Sequence, residues 1–105
     1  MMSATIAGHE ITLNEEGFFE DPSQWTEEMA PELARAVGIS ELTERHWVVI
    51  RFMRAAYLEK GTGPTVRVLG KSSGVPIKEL YELFPTGPAK TAAKIAGIPK
   101  PRGCI

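Results

Sequence analysis

Hydrophobic and polar positions change their spacing twice along this chain. Near the start, Thr5-Ile-Ala and Glu10-Ile-Thr-Leu13 are short β-prone runs around Gly8-His9, and Asn14-Glu-Glu-Gly17 makes a second turn before Phe18-Phe19. This predicts a hairpin or a three-strand meander with His9 in a turn. So small a sheet cannot stand alone, so Ile6, Ile11, Leu13 and Phe18 are expected to pack on helices. After the turn Asp21-Pro-Ser-Gln24, Thr26 can cap a helix with Glu27 and Glu28 in its first turn, although Pro31 kinks it or moves its regular part later. Gly38 ends it.

The longest helix is predicted from a cap at Thr43 to about Lys60, before Gly61. Its residues are apolar nearly all round, with Glu44, Arg51 and Arg54 as a narrow polar track, which marks a central helix. His46 and Trp47 read as core, and the two arginines as solvated or paired. Thr62-Gly-Pro64 opens a short helix through Val66, Val68 and Leu69. Pro76 opens another, with Ile77, Leu80, Tyr81 and Phe84 on one face. Pro85-Thr-Gly-Pro88 starts the last helix, where Pro88 is tolerated in the first turn. Lys90 and Lys94 fall on one side of it, while Ala89, Ala92, Ala93 and Ala96 form a low surface that either docks on the core or seats another segment. Gly97 stops it. The expected fold is α+β: a small N-terminal β-hairpin or meander packed on an orthogonal array of about five helices.

Beyond Gly97 the pattern ends in Ile98-Pro-Lys-Pro-Arg-Gly-Cys-Ile105. Pro99 and Pro101 bar a helix and favour an extended path, while Gly103 restores freedom beside Cys104. The chain is therefore divided into a domain, 1–97, and a flexible, mobile C-terminal arm, 98–105. At ~3.1 Å per residue that arm spans roughly 25 Å. Lys100 and Arg102 favour the Cys104 thiolate and the terminal carboxylate opposes it. Each such effect is only about 0.7 kcal/mol at ~6 Å in water, so strong activation is left to a partner.

Composition narrows the chemistry. The 105 residues suit one domain with one core. A single cysteine makes no internal disulfide, and without cysteine pairs or histidine clusters no metal site or cofactor is expected. The thiol fits a reducing cytoplasm. No apolar run approaches the ~20 residues that cross a bilayer, so no membrane partner is expected. The net charge of −1 argues against nonspecific nucleic-acid binding. From Lys90 onward the side-chain charges are all positive (Lys90, Lys94, Lys100 and Arg102), which makes these four candidates for partner or anion binding. Neither paired carboxylates nor a nucleophile beside a clear histidine base is present for self-contained hydrolysis.

Leu83-Phe-Pro-Thr-Gly-Pro-Ala-Lys90, followed by Ala96-Gly-Ile-Pro-Lys-Pro-Arg-Gly-Cys-Ile105, resembles the DsrC/TusE family of sulfur-relay proteins. The likeness extends upstream through Gly63-Pro-Thr-Val-Arg-Val-Leu69, His46-Trp47, Gln24-Trp25 and Gly17-Phe18, nearly the whole chain. It implies that Cys104 carries sulfur as a persulfide, received from an upstream donor protein and passed to an acceptor enzyme. Family members that serve dissimilatory sulfite reductase have a second cysteine where Ala93 stands here. A single cysteine is the pattern of the TusE-like branch, whose acceptor is a tRNA 2-thiouridine synthase. Two alternatives remain: a DsrC-like partner of sulfite reductase, and a DNA-binding module built on the helix-turn-helix outline of residues 66–84. Lys78, Glu79 and Glu82 on its second helix oppose DNA binding, because carboxylates repel phosphates and the set lacks the usual base-reading side chains.

Overall fold

The computed structural model describes residues 2–101. It begins with an antiparallel hairpin, β1 (Met2–Ile6) and β2 (His9–Leu13), in which Ile6 pairs with His9 and Met2 with Leu13. The two-residue loop has φ +50° at Ala7 and +80° at Gly8, the positive pair that a tight, twist-compatible hairpin turn requires. A meander does not form, because the chain after Asn14 returns only as an isolated bridge between Leu13 and Phe19. Asn14 organises that return by accepting the N–H groups of Glu16 and Phe18 on Oδ1. Gln24, in a short 3-10 turn (Pro22–Gln24), accepts the Thr12 N–H at 2.8 Å and ties this segment to β2.

Five α-helices follow: α1 (Met29–Ala36), α2 (Glu44–Lys60), α3 (Val66–Ser72), α4 (Ile77–Leu83) and α5 (Pro88–Ala96). The fold is α+β, a hairpin on five helices. Thr26 does not cap α1. The helix starts three residues later, with Pro31 in its first turn, and the Thr26 hydroxyl is buried without a hydrogen-bond partner. Thr43 does cap α2, accepting the His46 N–H, and Gly61 closes that helix at φ +78°.

His46 completes the cap from the third helical position. Its Nε2 lies 3.0 Å from the Leu83 carbonyl, which can only accept, so Nε2 carries the proton and Nδ1 accepts the Thr43 N–H. The ring also meets Phe84 edge-on, so the expectation of a structural histidine holds.

α2 is central but not buried all round. Val49, Ile50 and Met53 are fully buried, whereas Val48 and Leu58 are 38% and 73% exposed. On α4, Leu80 and Phe84 face the core while Ile77 and Tyr81 remain half-exposed, so the expected four-residue face narrows to two. Ile77 instead covers Gly70, where an added Cβ would lie 2.3 Å from its Cγ1, and this sets how closely α3 and α4 pack. All four alanines of α5 are fully buried, so this surface docks on the core, chiefly against α2 and α1.

Candidate functional site

The described chain ends beside a dense set of contacts at the C-terminal end of α5. A helix leaves its last carbonyls without intrahelical partners. Here Gly97, at φ +68°, turns the chain back, and Ile98 donates its N–H to the Ala93 carbonyl at 3.1 Å. Two side chains take the next carbonyls: the Trp25 indole N–H donates to Ile95 at 2.8 Å, and Arg54 Nη1 donates to Ala96 at 2.8 Å. Arg54 also donates to the Pro22 carbonyl at 3.3 Å, and its guanidinium lies 4.3 Å from the centre of the Trp25 ring. Burial pulls the Arg54 pKa down from its ordinary value, but an arginine so placed stays cationic. Each charge-assisted bond is worth ~1.5–3 kcal/mol, and the stacked cation adds ~0.5–2 kcal/mol.

Arg54 is therefore neither solvated nor ion-paired, as the sequence had it. A lone cation on an otherwise apolar helix was the available signal, since such a group must find acceptors when it is buried.

The first four residues of the expected arm are seated on the domain. Ile98 is fully buried and Pro101 is buried. Both pack on Gly63, where an added Cβ would lie 2.9 Å from Ile98 Cδ1 and 3.3 Å from Pro101 Cγ. Lys100 bridges to Glu16 at 3.2 Å, a surface pair worth ~0–1 kcal/mol. Lys94 extends toward the same turn, with its ammonium 5.2 Å from the Phe18 ring centre. The structure thus brings Lys94 and Lys100 together at residues 16–18. Lys90 is exposed one turn earlier on α5. Arg102 and Cys104 lie outside the described residues.

Among the described residues no group of three or more His, Cys, Asp or Glu is placed to hold a metal ion. No described helix is long and apolar enough to cross a membrane.

A hairpin braced on five helices, with the chain's basic end rooted between α5 and the α2–α3 loop, defines a small α+β domain built around its own C-terminal segment. The family model for DsrC-like proteins matches residues 5–105, and the chain belongs to that family. It is 47% identical to the sulfurtransferase TusE of Escherichia coli K12, over 93% of this chain and 95% of the relative. It is 39% identical to the gamma subunit of the dissimilatory-type sulfite reductase of Nitratidesulfovibrio vulgaris Hildenborough, over the full length of both. A chain in a crystal structure of dissimilatory sulfite reductase I superimposes with a TM-score of 0.88 at 38% identity, covering 99% of this chain and 100% of that one.

Proposed function

We propose that this protein is a sulfur carrier that works through Cys104 in a reducing cytoplasm. The observation that carries the reading is the near-full-length likeness to a sulfurtransferase of the TusE type in a chain whose only cysteine is penultimate. The Cys104 thiolate attacks the outer sulfur of a donor protein's persulfide. One S–S bond forms as the other breaks, the donor leaves as its thiolate, and the product is Cys104–S–SH with no net change in oxidation. An acceptor thiolate, such as that of a tRNA 2-thiouridine synthase, repeats the exchange and releases Cys104. Lys90, Lys94, Lys100 and Arg102 supply the basic surface on which an acidic or anion-handling partner docks. The weak Lys100–Glu16 pair leaves Lys100 available at small cost.

A second reading, a partner of dissimilatory sulfite reductase, is supported by the full-length likeness to a gamma subunit of that enzyme. It is weakened by Ala93, since a single cysteine cannot close an internal bridge.

Intact-mass measurement after incubation with a persulfide donor tests the carrier role. Wild type is expected to gain one reducible sulfur and Cys104→Ser none, whereas equal labelling of both would remove the proposal. The helix-turn-helix outline is expected to give no saturable shift of DNA at physiological salt. Glu79 is held at the start of α4 by two hydrogen bonds from Arg45, at 2.8 and 2.7 Å, which keep its carboxylate ionised where phosphates would approach.

A further inference from the structure

A cleft of about 450 Å³ lies between α2 and α3. Phe52, Ala55 and Ala56 form one wall, Val68 the other, and Gly63 and Pro64 the end. Gly63 is the residue on which Ile98 and Pro101 pack from the tail side. One glycine therefore separates the cleft from the last described residue of the chain.

We propose that this cleft is the docking site for the sulfur acceptor, taking an apolar side chain that stands on an acidic surface beside the acceptor's reactive pocket. This rests on the carrier reading above. Three Cα–Cα links of ~3.8 Å keep the Cα of Cys104 within about 11 Å of that of Pro101. With so short a tether, a protein that takes the outer sulfur into its own pocket has to sit on the surface around Pro101, and the cleft is the apolar depression there. Leu58, one helical turn on from Ala55, continues the apolar surface and is 73% exposed. The charges also select the occupant. Lys60 lines the cleft, Arg67 and Lys71 are exposed on α3 beside the lining residues Val68 and Ser72, and Glu59 is the single carboxylate among the lining residues. An apolar anchor with acidic neighbours meets both features.

The test uses the full chain loaded with one sulfur at Cys104 and two acceptors. One is a purified tRNA 2-thiouridine synthase. The other is cyanide, which removes the outer sulfur as thiocyanate and leaves the thiolate without needing a docking surface. Val68→Glu and Ala55→Glu put a charge in the cleft at partly exposed positions. Tyr81→Glu is the control, on α4 and outside the lining.

Both cleft variants are expected to raise KM for transfer to the enzyme by about tenfold or more, with kcat within about twofold. Thiocyanate release is expected to match wild type, and Tyr81→Glu to behave as wild type throughout. Lys60→Glu is expected to raise KM and flatten its salt dependence.

Transfer unchanged in both cleft variants, while wild type transfers, overturns the docking site alone. Faster thiocyanate release with unchanged enzyme transfer would give the cleft to the chain's own end, and a fall in dimer content to a second copy; either overturns the proposal. A wild type that fails to load, or that loads and transfers nothing, removes the carrier reading and the docking site with it.

Discussion

Gly97→Ala is expected to destabilise the domain by ~3–5 kcal/mol, on the order of 15 °C or more in Tm for a chain of this size. An added Cβ would lie 2.2 Å from Trp25 Cδ1, 2.4 Å from Cγ and 2.6 Å from Cβ. The last of these is at the root of the side chain, so rotating the indole does not relieve it. Trp25 has to leave, breaking its bond to the Ile95 carbonyl and removing the ring beneath Arg54. The left-handed backbone adds ~1 kcal/mol for any residue with a Cβ.

Gly74→Ala isolates that last contribution, because Gly74 has φ +88° and nothing within 4 Å of the added atom. Urea denaturation of the two variants separates clash from backbone strain. Equal losses would mean that Trp25 does not pack against the end of α5. If Gly97→Ala folds at low temperature, its persulfide loading from a small donor is expected to persist while transfer to a protein acceptor falls, because the tail's root is displaced and its thiol is not.

The features legible in the sequence are those decided by a few adjacent residues. Thr43 and Gly61 bound α2 because a side-chain oxygen and a missing Cβ do the same work in any surroundings. Gly97 was legible as a stop for the same reason. What it does next was legible too: a glycine in the left-handed region followed by an apolar residue is the pattern of a turn whose second residue packs back on the helix, and Ile98 does so against Ala93. The prolines at 99 and 101 pointed to an extended path and drew the start of the free arm too early, at 98.

Failures of reading came where tertiary contacts outweighed local ones. Thr26 had the composition of a cap, yet the chain around it is fixed by Trp25, whose indole is held on α5, 70 residues away. Ile77 and Tyr81 had helical spacing with Leu80 and Phe84, but a seven-residue helix presents only about two turns, and the core takes one narrow stripe of it. Of the candidate site, the basic residues could be named from sequence, and the Trp25–Arg54 brace that aims the tail could not. No local pattern distinguishes an arginine that caps a distant helix from one in water.

Ala93→Cys is expected to form an internal disulfide with Cys104 under mild oxidation, and thereby to abolish persulfide loading until it is reduced. Ala93 is fully buried in α5, and its carbonyl already holds the Ile98 N–H, so the chain returns along the position where the new sulfur would be built. From Pro101, the ~11 Å limit set by three links comfortably spans what remains, and the bridge needs the two Cα atoms at roughly 4.4–6.8 Å. The competing energies are of similar size. An extra sulfur in a fully packed position costs ~1–3 kcal/mol, while closing a loop of this length contributes up to ~3 kcal/mol by restricting the unfolded chain. The reduced variant should therefore melt below wild type and the oxidised form recover part of the difference. Non-reducing intact mass reads the bridge as a monomer lighter by two hydrogens. Persulfide loading before and after reductant reads the function, expected absent in the first case and restored in the second. A folded variant with both thiols reactive and no bridge would mean that Cys104 does not reach Ala93, and that the returning turn at Gly97 sends the chain's end away from α5.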